Sequence, residues 1–179
     1  MKLNLGCGDD IKKGYINVDS CKLPRVDVVC NLEKKFPFKS DSADEVIAEN
    51  IIEHLNEPYK FMEEIWRVCK DNAKVLIVAP HVHNRVLDGK LPHKRPGINA
   101  YTFGSLDEGQ RYNYYSKMRF KIIQIKYKLF YLHFLTSFLE KHLYLTEYIV
   151  GRWVGIDSCQ VELRAIKKIP KRKRAGVNR

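Results

Sequence analysis

Three imidazoles lie close together in the chain, His81, His83 and His93, while Gly6 and Gly8 close its first apolar run and Asp19 ends the second. Histidine titrates near neutrality, so any of the three could serve as a general base toward an alcohol or phenol. Taken singly, each also reads as an ordinary polar loop residue. Their spacing matches no metal-ligand pattern, and no metal is expected. Glycine after a strand lets the backbone approach a ligand closely and adopt positive φ without a Cβ clash. A carboxylate ending the neighbouring strand would accept hydrogen bonds from two ribose hydroxyls, as an adenosine-containing cofactor requires. A lone Gly-x-Gly also serves a plain tight turn, and the pair does not extend to G-x-G-x-x-G, so a dinucleotide or P-loop site is poorly supported.

These groups need strands to hold them, and seven runs qualify: "KLNL", "YINVD", "VDVVCN", "DEVIAE", "AKVLIVAP", "FKIIQIKYKL" and "CQVELRAIKK". The first five are apolar on successive positions, the pattern of strands buried on both faces. One helix is expected between the fourth and fifth, with Asn56 as cap, Pro58 in its first turn, Phe61, Met62, Ile65, Trp66 and Cys69 at helical spacing, and "KDN" as its stop. This alternation predicts an α/β domain with a mainly parallel sheet and ligands at the carboxyl ends of its strands, near the point where strand order reverses. Six residues separate Gly8 from Tyr15, too few for a normal crossover helix, so a single helical turn is expected there. One face of the sheet is then thinly covered.

The chain has 179 residues, 45% hydrophobic and 11% aromatic, which suits one globular domain, placed at 1–166. Its five cysteines, Cys7, Cys21, Cys30, Cys69 and Cys159, are scattered, with no Cys-x-x-Cys, so neither a disulfide framework nor a zinc site is indicated. That pattern, with no charged-then-apolar leader and no Asn-x-Ser/Thr acceptor, points to the cytoplasm. Net charge is +11, and Lys167, Lys168, Lys171, Arg172, Lys173, Arg174 and Arg179 supply seven of those charges in a tail, 167–179, without an acidic residue. Such a tail either is simply solvated or meets RNA or an anionic membrane surface.

Taken together, "LNLGCG", "GYINVDS", "VDVVCNLEKKFPF", "SADEVIAENIIEHL" and "RVCKDNAKVLIVAPH" resemble, in order and spacing, the class I S-adenosylmethionine-dependent methyltransferases. The likeness covers residues 2–83 and is strongest to small bacterial and archaeal members whose first motif runs directly into a "GyiNvD" strand. It implies a Rossmann-like class I fold: a mainly parallel seven-stranded sheet with an antiparallel last strand and a shortened first crossover helix. It implies S-adenosyl-L-methionine as cofactor, with Asn4, Gly6, Cys7 and Gly8 facing its methionine part and Asp19 its ribose. Asn31 and Leu32 would flank the adenine, and Glu49 and Asn50 would line the cofactor from the fourth strand. His54, in "EHL", would line or orient the substrate site. The third-strand motif departs from the usual Asp-Leu by carrying Asn31, whose amide can still bond an adenine edge.

Two long segments complete the reading. From Asn84 to Lys117 there is little periodicity, which suggests a lid or substrate segment. The resemblance places its "LPHKRPGINAYTF" over the transferred methyl, making Arg95 and Tyr101 substrate contacts; since imidazole titrates near neutrality, His81 and His93, with His83 in reserve, are the candidate catalytic bases. Leu129 to Val150 is largely apolar, but Glu140, Lys141, Glu147, His133 and His142 argue against a membrane span. Amphipathic helices on the sheet are expected there, with an in-plane membrane helix or a homodimer face as alternatives. No "NPPY"-like tetrapeptide follows the fourth strand, which lowers base and glutamine methylation. A hydroxyl or amine of a small-molecule or glycan-like acceptor is expected. The alternatives are an RNA or protein acceptor recruited by the tail, and a nucleic-acid-binding or membrane-surface module with a vestigial cofactor fold.

Overall fold

The structure is a computed structural model that describes residues 1–84, 94, 97–99, 101–106, 116–129, 141–142, 145–146 and 155–168. Seven strands form one sheet: β1 (Lys2–Leu5), β2 (Ile16–Asp19), β3 (Val28–Val29), β4 (Ala43–Glu49), β5 (Cys69–Pro80), β6 (Phe120–Leu129) and β7 (Ile156–Ala165). Their order is β3-β2-β1-β4-β5-β7-β6. The first five run parallel, and β7 runs antiparallel to both β5 and β6. Strand order therefore reverses between β1 and β4, beside the Gly6–Gly8 turn.

One sheet face is apolar throughout. Leu3, Leu5, Val18, Val46, Ala48, Val75, Ile77, Ala79, Val161 and Leu163 are fully buried, in one cluster with Phe61, Met62, Ile65 and Val68 of helix α1 (Pro58–Val68). The opposite face is polar. Register places Lys2 beside Glu45, Asn4 beside Asn17, and Val78 beside Gln160, which in turn faces Lys126. Ion pairs lace it, Lys2–Glu45 at 2.9 Å and Lys74–Glu162 at 3.7 Å among them. The expectation of strands buried on both faces thus holds at the centre, in β1, β2 and β4. In β5 and β7 burial alternates, because no helix lies on the polar face among the described residues.

The β1–β2 connection contains turns and no helix, not even the single turn expected. A side chain takes the helix's place. Asn17 Oδ1 accepts from Asn4 Nδ2 and from Lys12 N, each at 2.9 Å, and Asp27 Oδ2 accepts from Asn17 N at 2.7 Å and from its Nδ2 at 3.2 Å. The buried amide pair thereby anchors the loop onto two strands.

Helix α1 starts with Pro58 at its first position, but Glu57 is its N-cap and Asn56 does not cap it. Asn56 instead donates through its backbone and, at 3.1 Å, its side chain to the Glu33 carboxylate. The helix ends at Val68, before the expected "KDN" stop, and Cys69 already belongs to β5, which runs through "KDN" with Asn72 at φ 62°. Arg67 grips Glu64 through two 2.7 Å bonds and also donates to the carbonyls of Phe36 and Phe38, fixing the β3–β4 connection against the helix. No described helix is long and apolar enough to cross a membrane. Most of 129–150, and the tail beyond Lys168, lie outside the described residues.

Candidate functional site

The glycine turn is shaped by left-handed backbone at both glycines, φ 68° at Gly6 and 46° at Gly8. Their empty Cβ positions differ. At Gly6 a Cβ would stand 2.7 Å from Ile51 Cγ1, whereas at Gly8 it would meet nothing within 4 Å. Gly6 therefore admits the following turn, and Gly8 borders the open side where a ligand can approach. Asp19 reaches back across the turn: Oδ2 accepts from Gly8 N at 2.9 Å and Oδ1 from Cys21 N at 2.9 Å. Oδ1 also accepts from Ser20 Oγ at 3.5 Å, and Oδ2 keeps a lone pair for a hydroxyl donor.

The other residues expected on this side are spread over several roles. The Asn4 amide is buried and committed to Asp10 O and Asn17. Cys7 is buried, and burial pushes its thiol up, which leaves it unreactive. Asn31 is exposed and bonds Glu33 N at 2.8 Å, while Leu32 is a core residue. Glu49 ends β4 with its carboxylate 3.4 Å from Lys12 Nζ, and Asn50 follows in left-handed conformation, φ 51°, exposed.

Glu49 and Asn50 also begin a cleft of about 560 Å³ that continues over Val78 and Pro80 of β5, Ser158 and Gln160 of β7, and Lys126, Tyr127 and Lys128 of β6. Asp157 closes it, 3.6 Å from Lys128 Nζ. Behind this wall stands His81, with its ring centroid 5.4 Å from that of Tyr127, edge-on, and 5.3 Å from that of His83. His81 is 1% exposed, and its Nδ1 accepts from His83 N at 3.1 Å. That bond assigns the neutral ring's proton to Nε2, so His81 is arranged as a donor. His83 is half-buried. His54 is also half-buried, in the 3-10 turn Ile52–His54 that follows β4. Tyr101 is exposed in a turn whose N–H groups bond Asn99 Oδ1. His93 and Arg95 lie outside the described residues.

Sequence reasoning missed the cleft wall and one buried acid. Lys126, Lys128, Ser158 and Gln160 recur at alternate positions of β6 and β7, a period-of-two signal that marks one sheet face without saying what that face meets. Glu53, next to His54, has a side chain 1% exposed and, among the described residues, neither carboxylate oxygen hydrogen-bonded. Burial pushes its carboxyl above the ordinary value.

A family model described as a methyltransferase domain matches residues 3–77. Among solved structures, an S-adenosylmethionine-dependent methyltransferase from Archaeoglobus fulgidus superposes with a TM-score of 0.60 at 14% identity, over 91% of this chain and 85% of that one. The complex of the Haloferax volcanii Trm112 methyltransferase activator with the putative methyltransferase matches at 0.59 and 14%, over 94% and 83%. A putative sarcosine dimethylglycine methyltransferase from Galdieria sulphuraria matches at 0.57 and 14%, over 94% and 78%. At such identities the likeness is one of fold. No curated protein sequence matches the chain.

Proposed function

We propose that this chain, an S-adenosylmethionine-dependent methyltransferase of class I fold, moves the methyl group to a hydroxyl or amine of a small-molecule or glycan-like acceptor in the cleft at the ends of β4, β5, β7 and β6. The observation that carries the reading is that Glu49 and Asn50, which line that cleft, directly follow Ala48, the β4 partner of Leu5 at the start of the glycine turn. Its volume of about 560 Å³ suits a ligand of modest size. Its carboxylates, amide, hydroxyls and ammonium groups offer the mixed donors and acceptors that a polyhydroxylated molecule needs.

The bound sulfonium supplies an already activated methyl, so the protein's work is alignment and removal of the acceptor's proton. The Gly6–Gly8 turn admits the cofactor, Asp19 accepts from its ribose hydroxyls, and the Asn4–Asn17 pair holds the turn in place. Among the described imidazoles, His83 is the better-placed base, since His81 is buried with Nδ1 occupied. His81 and Tyr127 then support the wall beside it. An amine acceptor, once deprotonated, needs alignment alone.

The test is calorimetric titration with S-adenosylmethionine and S-adenosylhomocysteine, followed by transfer of a labelled methyl to a panel of monosaccharides, amino sugars and small amines. Binding of both ligands and labelling of at least one class is expected. Absence of binding at millimolar ligand would remove the enzyme reading.

A further inference from the structure

A buried carboxyl group without a hydrogen-bond partner is among the least favourable arrangements in a protein, and a neutral isostere would normally replace it. Glu53 is such a group: 1% exposed at its side chain, with both oxygens unbonded among the described residues. Its position is informative. The turn that carries it follows Glu49 and Asn50, which open the cleft, and is preceded by Ile51, the residue packed where a Cβ of Gly6 would stand. Glu53 therefore lies one short turn from the backbone that admits the cofactor. Among the described residues the titratable group facing it is His54, Nε2 3.9 Å from Oε1, and the Lys94 backbone N–H covers the Glu53 carbonyl at 3.0 Å.

We propose that Glu53 is the counter-charge to the cofactor's sulfonium, ionised while the methyl donor is bound and left uncompensated once the methyl has gone and the sulfur is neutral. The inference rests on the methyltransferase reading above. A fixed charge in a poorly screened interior acts over several ångströms, so Glu53 favours the donor without touching it. Its role is electrostatic positioning. Burial holds the carboxyl toward its neutral form in the free protein, and an incoming cation draws the proton off. The same charge is unfavourable to retain beside the neutral product, which speeds exchange of product for donor. Selection for that discrimination explains an acid kept where it weakens the fold.

Donor and product share the methionine ammonium and carboxylate, so comparing them isolates the sulfonium. Wild type and Glu53→Gln are titrated with S-adenosylmethionine and S-adenosylhomocysteine in buffers of different ionisation enthalpy, from about pH 5 to about pH 8. Wild type is expected to release a fraction of a proton on binding the donor and less on binding the product. Glu53→Gln loses that release and about tenfold in donor affinity, with product affinity kept within about threefold. Equal weakening of both ligands, or an unchanged donor-to-product ratio, makes Glu53 structural and overturns the proposal. Release that persists in Glu53→Gln and disappears in His54→Gln assigns it to the imidazole, with the same result. Product binding with an unchanged ratio sinks this proposal alone, whereas failure of both ligands to bind wild type removes the methyltransferase reading beneath it. Thermal melting of Glu53→Gln at or above that of wild type shows that a lost affinity is not a lost fold.

Discussion

At the residue scale, the two glycines of the first turn separate a packing role from a binding role. Ala at Gly6 meets Ile51 at 2.7 Å on a backbone already at φ 68°. Left-handed backbone alone disfavours a Cβ by about 1–2 kcal/mol, so Gly6→Ala should lower stability by more than that in chemical denaturation. Gly8→Ala has the same backbone penalty with open space around it, and should instead weaken cofactor binding. Equal effects of both substitutions on stability would contradict the assignment. Asp19→Ala removes the acceptor for both Gly8 N and Cys21 N and, on the proposed reading, for the cofactor's ribose, so a cofactor affinity loss of tenfold or more is expected by titration. Glu53 yields a pH signature. Its folded value lies above the unfolded one, so its contribution to stability is full below about pH 4.3 and is lost as pH rises through the raised value. Glu53→Gln carries no such loss. The stability difference between the variant and wild type should therefore grow with pH in favour of the variant, and a difference flat from pH 4 to about pH 8 would show that Glu53 is not desolvated.

At the scale of elements, Asn17 does the work of a missing helix. Replacing it by Ala removes one of the two acceptors of the Asn4 amide, the side-chain acceptor of the Lys12 N–H and one of the donors to Asp27. A lost buried hydrogen bond is unfavourable by about 1–3 kcal/mol and the part-buried ones add less, so Asn17→Ala should destabilise by about that, more than Asn31→Ala, whose bond to Glu33 N is exposed. Comparable denaturation midpoints for the two would refute this. The strands themselves were legible, because β-branched runs bounded by turn residues announce themselves locally: "FKIIQIKYKL" coincides with β6, and Pro58 with the start of α1. The hub was not, since an amide bonding a residue 13 positions away depends on which strands become neighbours. The cleft was illegible for the same reason. Lys126 and Gln160 share a wall only because antiparallel register sets them opposite each other. Asn56 illustrates a competing partner: its side-chain oxygen could accept from a helix N–H, but its N–H and Nδ2 donate instead to the Glu33 carboxylate 23 residues away, which orients the side chain off the helix.

At the scale of the whole molecule, the sheet is a two-sided object with one apolar and one ion-paired face, and its closing point decides where the domain ends. Trp66 Nε1 donates to Ile166 O at 3.1 Å, and Lys167 N donates to Asp71 Oδ1 at 2.9 Å. The Lys167 ammonium lies 3.9 Å from the Trp66 ring centroid, 3.0 Å from Asp41 and 3.3 Å from Arg67 O. Counted by charge, Lys167 reads as the first residue of a basic tail; counted by bonds, it is the clasp that holds the end of β7 to helix α1. A chain cut after Lys168 keeps every one of these contacts, whereas a cut after Ala165 removes the cation over Trp66 and the acceptor for its N–H. Together those are worth about 1–3 kcal/mol after allowance for the exposed Asp41 carboxylate. The shorter cut should therefore lower the denaturation midpoint and expose Trp66 to quencher, while the longer one leaves stability and cofactor affinity within about twofold of the full chain. If the cut after Lys168 already weakens cofactor binding tenfold, residues 169–179 contribute to the domain rather than extending from it.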